Sequence, residues 1–262
     1  MFNDFFEPRG IQCFRELRIC DLKIWDKRKW ERMTTEMGRV ESAVILLIPY
    51  FSGQRTTNLS IYAQPRDYHL FFRILTEEFR EYCKEKFPDL SVCGFADSSP
   101  LDERDAALRS GLGVLGKNGL VIHKTYGSYF FIGEFFLSYA IAPSSPVEPG
   151  VCSGCGACEI ACPTGAIRDP ERKECLSLLS QKKKLSEAEA ALVEEASCKW
   201  GCDLCQSACP MNQNAKLTPI PFFREHLVTE LTTDTIEAPE EEFRQRAFSW
   251  RGREVLRRNL KK

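Results

Sequence analysis

The chain has 262 residues, 43% of them hydrophobic and 28% charged, with a formal net charge of −1. That length and apolar fraction suit one large domain or two modest ones with an ordinary buried core, and they argue against disorder over most of the chain. The near-zero charge excludes a chain-wide attraction to nucleic acid or to an anionic membrane, so any such contact has to be local.

No apolar run approaches the roughly 20 residues that a bilayer-crossing helix needs, and the start, MFNDFFEPRG, lacks a basic segment followed by an apolar one. The expectation is a cytoplasmic protein with no membrane association. Thirteen cysteines are many for a compartment that keeps thiols reduced, so metal binding explains them better than disulfides. Nine of them lie between Cys152 and Cys209. Cys13, Cys20, Cys83 and Cys93 lie outside and are expected as small buried apolar residues.

In chain order, residues 42–51 (SAVILLIPYF) form a continuous apolar run stopped by Pro49, which predicts a strand buried on both faces in the middle of a sheet. From residue 67 to 87, Leu70, Phe71, Ile74, Leu75, Phe79 and Tyr82 follow helical spacing between charged residues, and Pro88 closes that amphipathic helix. Residues 91–97 (SVCGFAD) read as a second strand ending in an acid. A turn follows, then a helix from about Leu101 with a stop at Gly111. Residues 129–140 (YFFIGEFFLSYA) predict another core strand, and residues 142–150 (APSSPVEPG) a linker. Beyond the linker come cysteine loops, a helix near residues 186–196, more cysteine loops and a charged tail. The domains expected are therefore an α/β unit over residues 1–142, a cysteine domain over 151–215 and a basic helical tail over 216–262.

The first cysteine run is Cys152, Cys155, Cys158 and Cys162 followed by Pro163, a C-x2-C-x2-C-x3-C-P pattern; the second ends Cys202, Cys205, Cys209, Pro210. In bacterial two-cluster ferredoxins this spacing gives three thiolates to one 4Fe-4S cluster, while the fourth cysteine serves the other. Reciprocal sharing puts Cys152, Cys155, Cys158 and Cys209 on one cluster and Cys162, Cys202 and Cys205 on the other. Either Cys198 or Cys175 completes the second set, and spacing does not choose between them. Paired C-x2-C units also hold structural zinc, but zinc does not account for two Cys-Pro endings. Two clusters sharing ligands form an electron path, so something that receives electrons is expected at its end.

Four further blocks, SIYAQPRDYH (60–69), FADSSPLDER (95–104), GLGVLGKNG (111–119) and GSYFFIGE (127–134), stand before the cysteine runs, and EEEFRQRAFSWRGREVLRRN (240–259) after them. In this order the chain resembles the epoxyqueuosine reductase family from about Ser42 onward. The resemblance implies an α/β (α+β) fold, in which a cobalamin-binding nitroreductase-like domain is followed by a ferredoxin-like double 4Fe-4S domain. It implies a cobalamin-dependent enzyme that reduces the epoxide of epoxyqueuosine in tRNA, supplied by a flavodoxin- or ferredoxin-type donor.

Position by position, Asp97 matches the family's proton donor, a role that needs a carboxylic acid kept neutral by burial. The alternative for Asp97 is to cap the helix that follows. Asp67, His69 and Arg104 match residues of the substrate and cobalamin pocket, and Ser60, Lys117, Gly127 and Ser128 are assigned to the same pocket. Ser60 stands where some members carry a cysteine near the cobalt. The resemblance also places Cys175, rather than Cys198, on the second cluster. His69 lies in a D-x-H spacing, but Phe72 replaces the glycine of the D-x-H-x-x-G corrinoid motif, which disfavours a lower axial histidine. The G-x-G-x-x-G beginning at Gly111 lacks a nucleotide-binding context, and the resemblance makes it a turn approached by the corrin.

Family members continue into helical repeats past the last of these blocks, which makes this a short member. The basic tail, with Arg244, Arg246, Arg251, Arg253, Arg257, Arg258, Lys261 and Lys262 against Glu254, reads equally as a patch contacting tRNA phosphates and as a solvated helix face. The other readings are a corrinoid reductase of a small molecule, related to reductive dehalogenation, and a ferredoxin-like electron carrier.

Overall fold

A computed structural model describes residues 2–261. Its centre is an antiparallel sheet of β1 (Cys13–Arg18), β2 (Ser42–Pro49), β3 (Val92–Ala96) and β6 (Phe130–Leu137), in the order β1-β2-β6-β3. Strands β2 and β6 pair over their full length, from Ser42 opposite Leu137 to Pro49 opposite Phe130. Every residue of β2 is buried because both faces of the sheet are covered. Val44, Leu46 and Ile48 meet Phe72, Leu75 and Phe79 of one helix (Tyr68–Lys86). Ala43, Ile45 and Leu47 meet Ala106, Ala107 and Leu108 of another (Glu103–Arg109). The interior place expected for the 42–51 run is thus filled in a sheet that is antiparallel throughout.

A strand and a helix are among the elements that escape the sequence reading. Strand β1 has the sequence CFRELR, in which charges interrupt any apolar alternation. Its Glu16 is nevertheless buried, accepting hydrogen bonds from Ser42 Oγ (2.6 Å), Ile141 N (2.9 Å) and Ala142 N (2.7 Å). A charge there reads as solvent-facing, whereas it holds the chain leaving β6. The helix Lys27–Met37 buries only Met33, with Asp26 as its N-cap.

The proline-rich segment 142–150 is pinned along the sheet unit. Ser144 N donates to Glu16 O (2.7 Å), and Val147 N to Arg109 O (2.8 Å). A short strand, β7 (Gly150–Val151), then pairs in parallel with β4 (Val114–Leu115), which also pairs with β5 (Val121–Ile122). The glycines at 111–119 serve this hairpin: a Cβ at Gly113 would stand 2.7 Å from Val121 and 2.8 Å from the carbonyl of Ile122. The cysteine segment is built of short helices, the longest being Glu187–Glu195, which starts on a capping box of Ser186 and Glu189.

The segment after residue 215 returns over both units. Thr218 bonds to Pro49 and Phe51, and Ile220 and Phe223 enter the core beneath the helix Tyr68–Lys86. Leu231, Ile236, Phe243, Phe248 and Leu256 form a further core with Leu59, Ala63 and Trp200. Most of the cations expected as a nucleic-acid patch are spent internally. Arg257 makes two bonds to Glu237 (2.6 and 2.7 Å), Arg244 pairs with Glu240, Arg253 binds the Ala238 carbonyl and Glu240, and Arg258 reaches the carbonyls of Lys182 and Lys183. Lys262 lies outside the described residues. The last helix (Arg253–Leu260) places Val255 and Leu256 in this core.

Candidate functional site

Eight of the nine clustered cysteines line two cavities in sets of four. The smaller is walled by Cys152, Cys155, Cys158 and Cys209 together with Lys117, Asn118 and Met211. The larger, about 340 Å³, is walled by Cys162, Cys175, Cys202 and Cys205. Cys198 lines neither; it is buried, and its thiol points to the Thr57 carbonyl at 3.5 Å. Among the described residues, no three His, Cys, Asp or Glu side chains converge on a single-ion site. Each cavity gathers four thiols, the soft set that suits iron-sulfur clusters. Of the cysteines outside the runs, Cys83 is buried in the core as expected, Cys13 and Cys93 are half-buried, and Cys20 is exposed.

The larger cavity opens away from its cysteines onto the sheet unit. Its opposite wall is Tyr50, Ser60, Tyr62, Ser128, Phe130 and Phe131. The loop carrying Ser60 lies directly on the cysteine segment: Ser60 N donates to Trp200 O (3.0 Å), and a Cβ at Gly201, whose φ is +70°, would stand 2.5 Å from the Ser60 Cβ. Gly127 is equally confined, because a Cβ there would meet Asn212 Oδ1 at 2.2 Å. Asn212 Oδ1 accepts from Ser128 N (2.8 Å), which fixes Ser128 at the cavity edge.

Phe131 joins this cavity to Asp97. Its ring stacks on Tyr68 with centroids 3.9 Å apart, and the Tyr68 hydroxyl donates to Asp97 Oδ2. His69 lies beside them, with Nε2 3.8 Å from Asp97 Oδ2 and Nδ1 2.8 Å from Asp67 Oδ1. Asp67 also caps the helix Tyr68–Lys86 by accepting from His69 N (2.9 Å). The structure therefore brings Asp67, His69 and Asp97 to one groove and adds Tyr68, which the sequence reading did not single out. Tyr68 stands between Asp67 and His69, but nothing in a D-Y-H tripeptide shows which way an aromatic will turn.

Asp97 does not cap the following helix; Asp102 does, accepting from Asp105 N at 3.3 Å. Asp97 and Ser98 have φ of +57° and +51°, two successive non-glycine residues in the left-handed region. Such a backbone persists only where its surroundings over-determine it. Here Ser99 donates to the buried Glu134, and the Pro100 carbonyl accepts from Trp25 N (2.8 Å) and Asp26 N (3.0 Å). Desolvation, with Asp67 adding its negative charge, holds the Asp97 carboxyl above its ordinary range. The side chain is still 55% exposed, so a ligand covering it would strengthen that shift.

Arg104 and Lys117 stand elsewhere, on a groove of about 680 Å³ beside Cys152. Arg104 donates to the Gly119 carbonyl (3.1 Å), and Lys117 pairs with Glu159 (2.7 Å). The seven residues assigned to the pocket by resemblance are thus divided among three places. Ser60 and Ser128 line the larger cysteine cavity, with Gly127 just behind Ser128. Asp67 and His69 attend Asp97, and Arg104 and Lys117 lie near the smaller cysteine set. No described helix is long and apolar enough to cross a membrane.

Comparison with known proteins agrees with this geometry. Residues 151–212 match the 4Fe-4S double cluster binding domain. The epoxyqueuosine reductase of Bacillus cereus is 33% identical over 208 residues, covering 74% of this chain and 53% of that protein. The enzyme of that name from Escherichia coli is 37% identical over 168 residues, covering 61% of this chain and 43% of its own. The chain therefore spans about half the length of these curated relatives. Among solved structures, an epoxyqueuosine reductase from Streptococcus thermophilus has the same fold, with a TM-score of 0.77 at 23% identity over 98% of this chain and 78% of that one. Another solved structure with the same TM-score is an epoxyqueuosine reductase with an epoxyqueuosine-modified tyrosine tRNA stem loop. In sequence the chain is similar to epoxyqueuosine reductases, it carries a double 4Fe-4S cluster domain, and it shares the fold of the solved epoxyqueuosine reductases.

Proposed function

We propose that the chain is a cytoplasmic iron-sulfur oxidoreductase that uses two 4Fe-4S clusters and cobalamin to reduce the epoxide of epoxyqueuosine in tRNA. The observation that carries this reading is the wall of Phe131 and Tyr68, which joins the cavity of the second cysteine set to Asp97. Cys152, Cys155, Cys158 and Cys209 would hold one cluster and Cys162, Cys175, Cys202 and Cys205 the other, with Cys198 outside both. The division of the thiols between two cavities supports that assignment. Cys155, the exposed cysteine of the first set, marks where a flavodoxin- or ferredoxin-type donor would approach.

Ser60, Tyr62, Ser128 and Phe131 offer the polar and aromatic surface on which cobalamin would rest. When bound, it supplies a strongly reducing cobalt centre for the epoxide carbon. Removing the epoxide oxygen as water takes two electrons and two protons. A neutral Asp97 can give a proton to the departing oxygen, and the Tyr68 hydroxyl stabilises the carboxylate left behind. The name of the relatives and the tRNA stem loop of one solved neighbour support tRNA as the carrier of the substrate.

The test is anaerobic reconstitution with iron, sulfide and cobalamin, followed by absorption and electron paramagnetic resonance. Two 4Fe-4S signals beside bound cobalamin are expected; clusters without corrin would leave a ferredoxin-like electron carrier. Asp97→Asn should keep both cofactors and lose roughly 10²- to 10⁴-fold in turnover of epoxyqueuosine-containing tRNA. Unchanged turnover would remove Asp97 from the mechanism.

A further inference from the structure

Between Cys202 and Cys205 stands Asp203, only 1% exposed. Its carboxylate gathers four donors. Oδ1 accepts from Ser60 Oγ (2.6 Å) and Gln206 Nε2 (3.1 Å); Oδ2 accepts from Ile61 N (2.7 Å) and Thr56 Oγ1 (2.8 Å). Each oxygen thus takes one N–H and one hydroxyl, a set that suits an ionised, acceptor-only group. Three of the four donors belong to the loop of the sheet unit that carries Ser60.

Among the described residues, Asp203 is the only carboxylate lining the larger cysteine cavity. Among the same residues the one cation there, Arg172, turns its guanidinium to the carbonyls of Lys117 and Asn118. A cluster that accepts an electron gains negative charge. A fixed anion next to two of its ligands disfavours that gain, and local charge and hydrogen bonding are among the factors that set cluster potentials.

We infer that Asp203 is a positioning residue whose buried negative charge lowers the reduction potential of the cluster held by Cys162, Cys175, Cys202 and Cys205, leaving the other cluster unaffected. The inference rests on the cluster assignment proposed above. Its consequence is that the cluster facing Ser60 and Tyr62 is a stronger reductant than it would be without Asp203. The four hydrogen bonds hold the charge in place and tie the Ser60 loop to the same ligand turn.

The experiment is a redox titration of the reconstituted full chain, following the two clusters separately by electron paramagnetic resonance. Asp203→Asn should favour reduction of one cluster about tenfold, a rise of about 59 mV for a one-electron couple, and leave the other where it was. Thr56→Val removes one donor but keeps the charge, so it should move the same cluster the opposite way by a smaller factor. Should Asp203→Asn fail to fold, the sign of the Thr56→Val shift decides alone. No shift with either variant, an equal shift of both clusters, or shifts of the same sign in the two variants would overturn the inference. Failure of the assignment beneath it looks different, because the unmodified chain would then hold no second cluster, or Cys175→Ala would leave its iron content unchanged.

Discussion

The sheet unit and the cysteine segment are stabilised by different means. In the first, β2 and β6 pair over eight residues each, and apolar side chains cover both faces, so order follows from burial. In the second, the helices run only four to nine residues, while Val151 and Ile160 stand 74% and 81% exposed. A segment with so little core has to draw its order from metal ligation and from its seat on the sheet unit. A continuous apolar strand thus announces its own burial, whereas a cysteine loop announces only what it binds.

Removing iron with a chelator puts this contrast to its severest test. Amides of the helices Ala157–Ala161 and Leu204–Ser207 should lose hydrogen-exchange protection toward the ~0 kcal/mol of open segments, while β2 and β6 stay protected. Joint loss of protection in the strands would mean that the two regions fold as one.

Phe135→Ala probes the other side. This ring is fully buried and meets Phe72 at 5.2 Å and Phe79 at 4.5 Å, so its truncation should cost about 3–5 kcal/mol in urea unfolding. Iron bound per folded chain should not change.

A smaller effect concerns Glu134, which is fully buried, with Oε1 lacking a partner. Burial first, and Glu103 after it, push its carboxyl up to about 8 from an ordinary 4.5. Below pH 4.5 the group is protonated folded or unfolded and costs nothing. Between pH 4.5 and 8 the unfolded chain ionises while the folded one does not, so stability falls as pH rises. Glu134→Gln should therefore match the parent near pH 4.5 and exceed it increasingly toward pH 8, by on the order of a few kcal/mol. A constant difference across that range would show that Glu134 does not titrate this way.

The smallest stability effect separates two cysteines. Cys198→Ala should cost on the order of 1 kcal/mol or less and keep the full iron content, because its thiol lines neither cavity. Cys205→Ala should lose roughly half the iron, the share of one of two equal clusters. Equal iron loss in both variants would put Cys198 among the ligands.

Much of the sheet unit is legible because its strands and helices carry their own periodicity: the 42–51 run, the helix after Asp67 and the aromatic strand at 129–140 all appear near their expected bounds. Strand β1 is not legible, since Glu16 looks like a surface charge until the backbone amides of Ile141 and Ala142 are seen to face it. The basic tail is hard to read for the same reason: its arginines fit a phosphate patch or a solvated face equally well until they are seen matched by Glu237, Glu240 and distant carbonyls. Asp203 did leave a signal, an acid enclosed by two cysteines, but the donors that give it meaning come from residues 56–61.

The sequence by itself determined the iron-sulfur chemistry, the order of the elements and the family resemblance, because ligand spacing and hydrophobic period are local properties of a chain. Ligand spacing left Cys175 and Cys198 open, and the tertiary structure lines the second cavity with Cys175, as the resemblance implied; only the tertiary structure decided that Tyr68 and Phe131 connect that cavity to Asp97 and that Asp203 joins the two units. Each of those is a contact between segments far apart along the chain. The direction of a side chain across such a distance is set by packing, which no local pattern records.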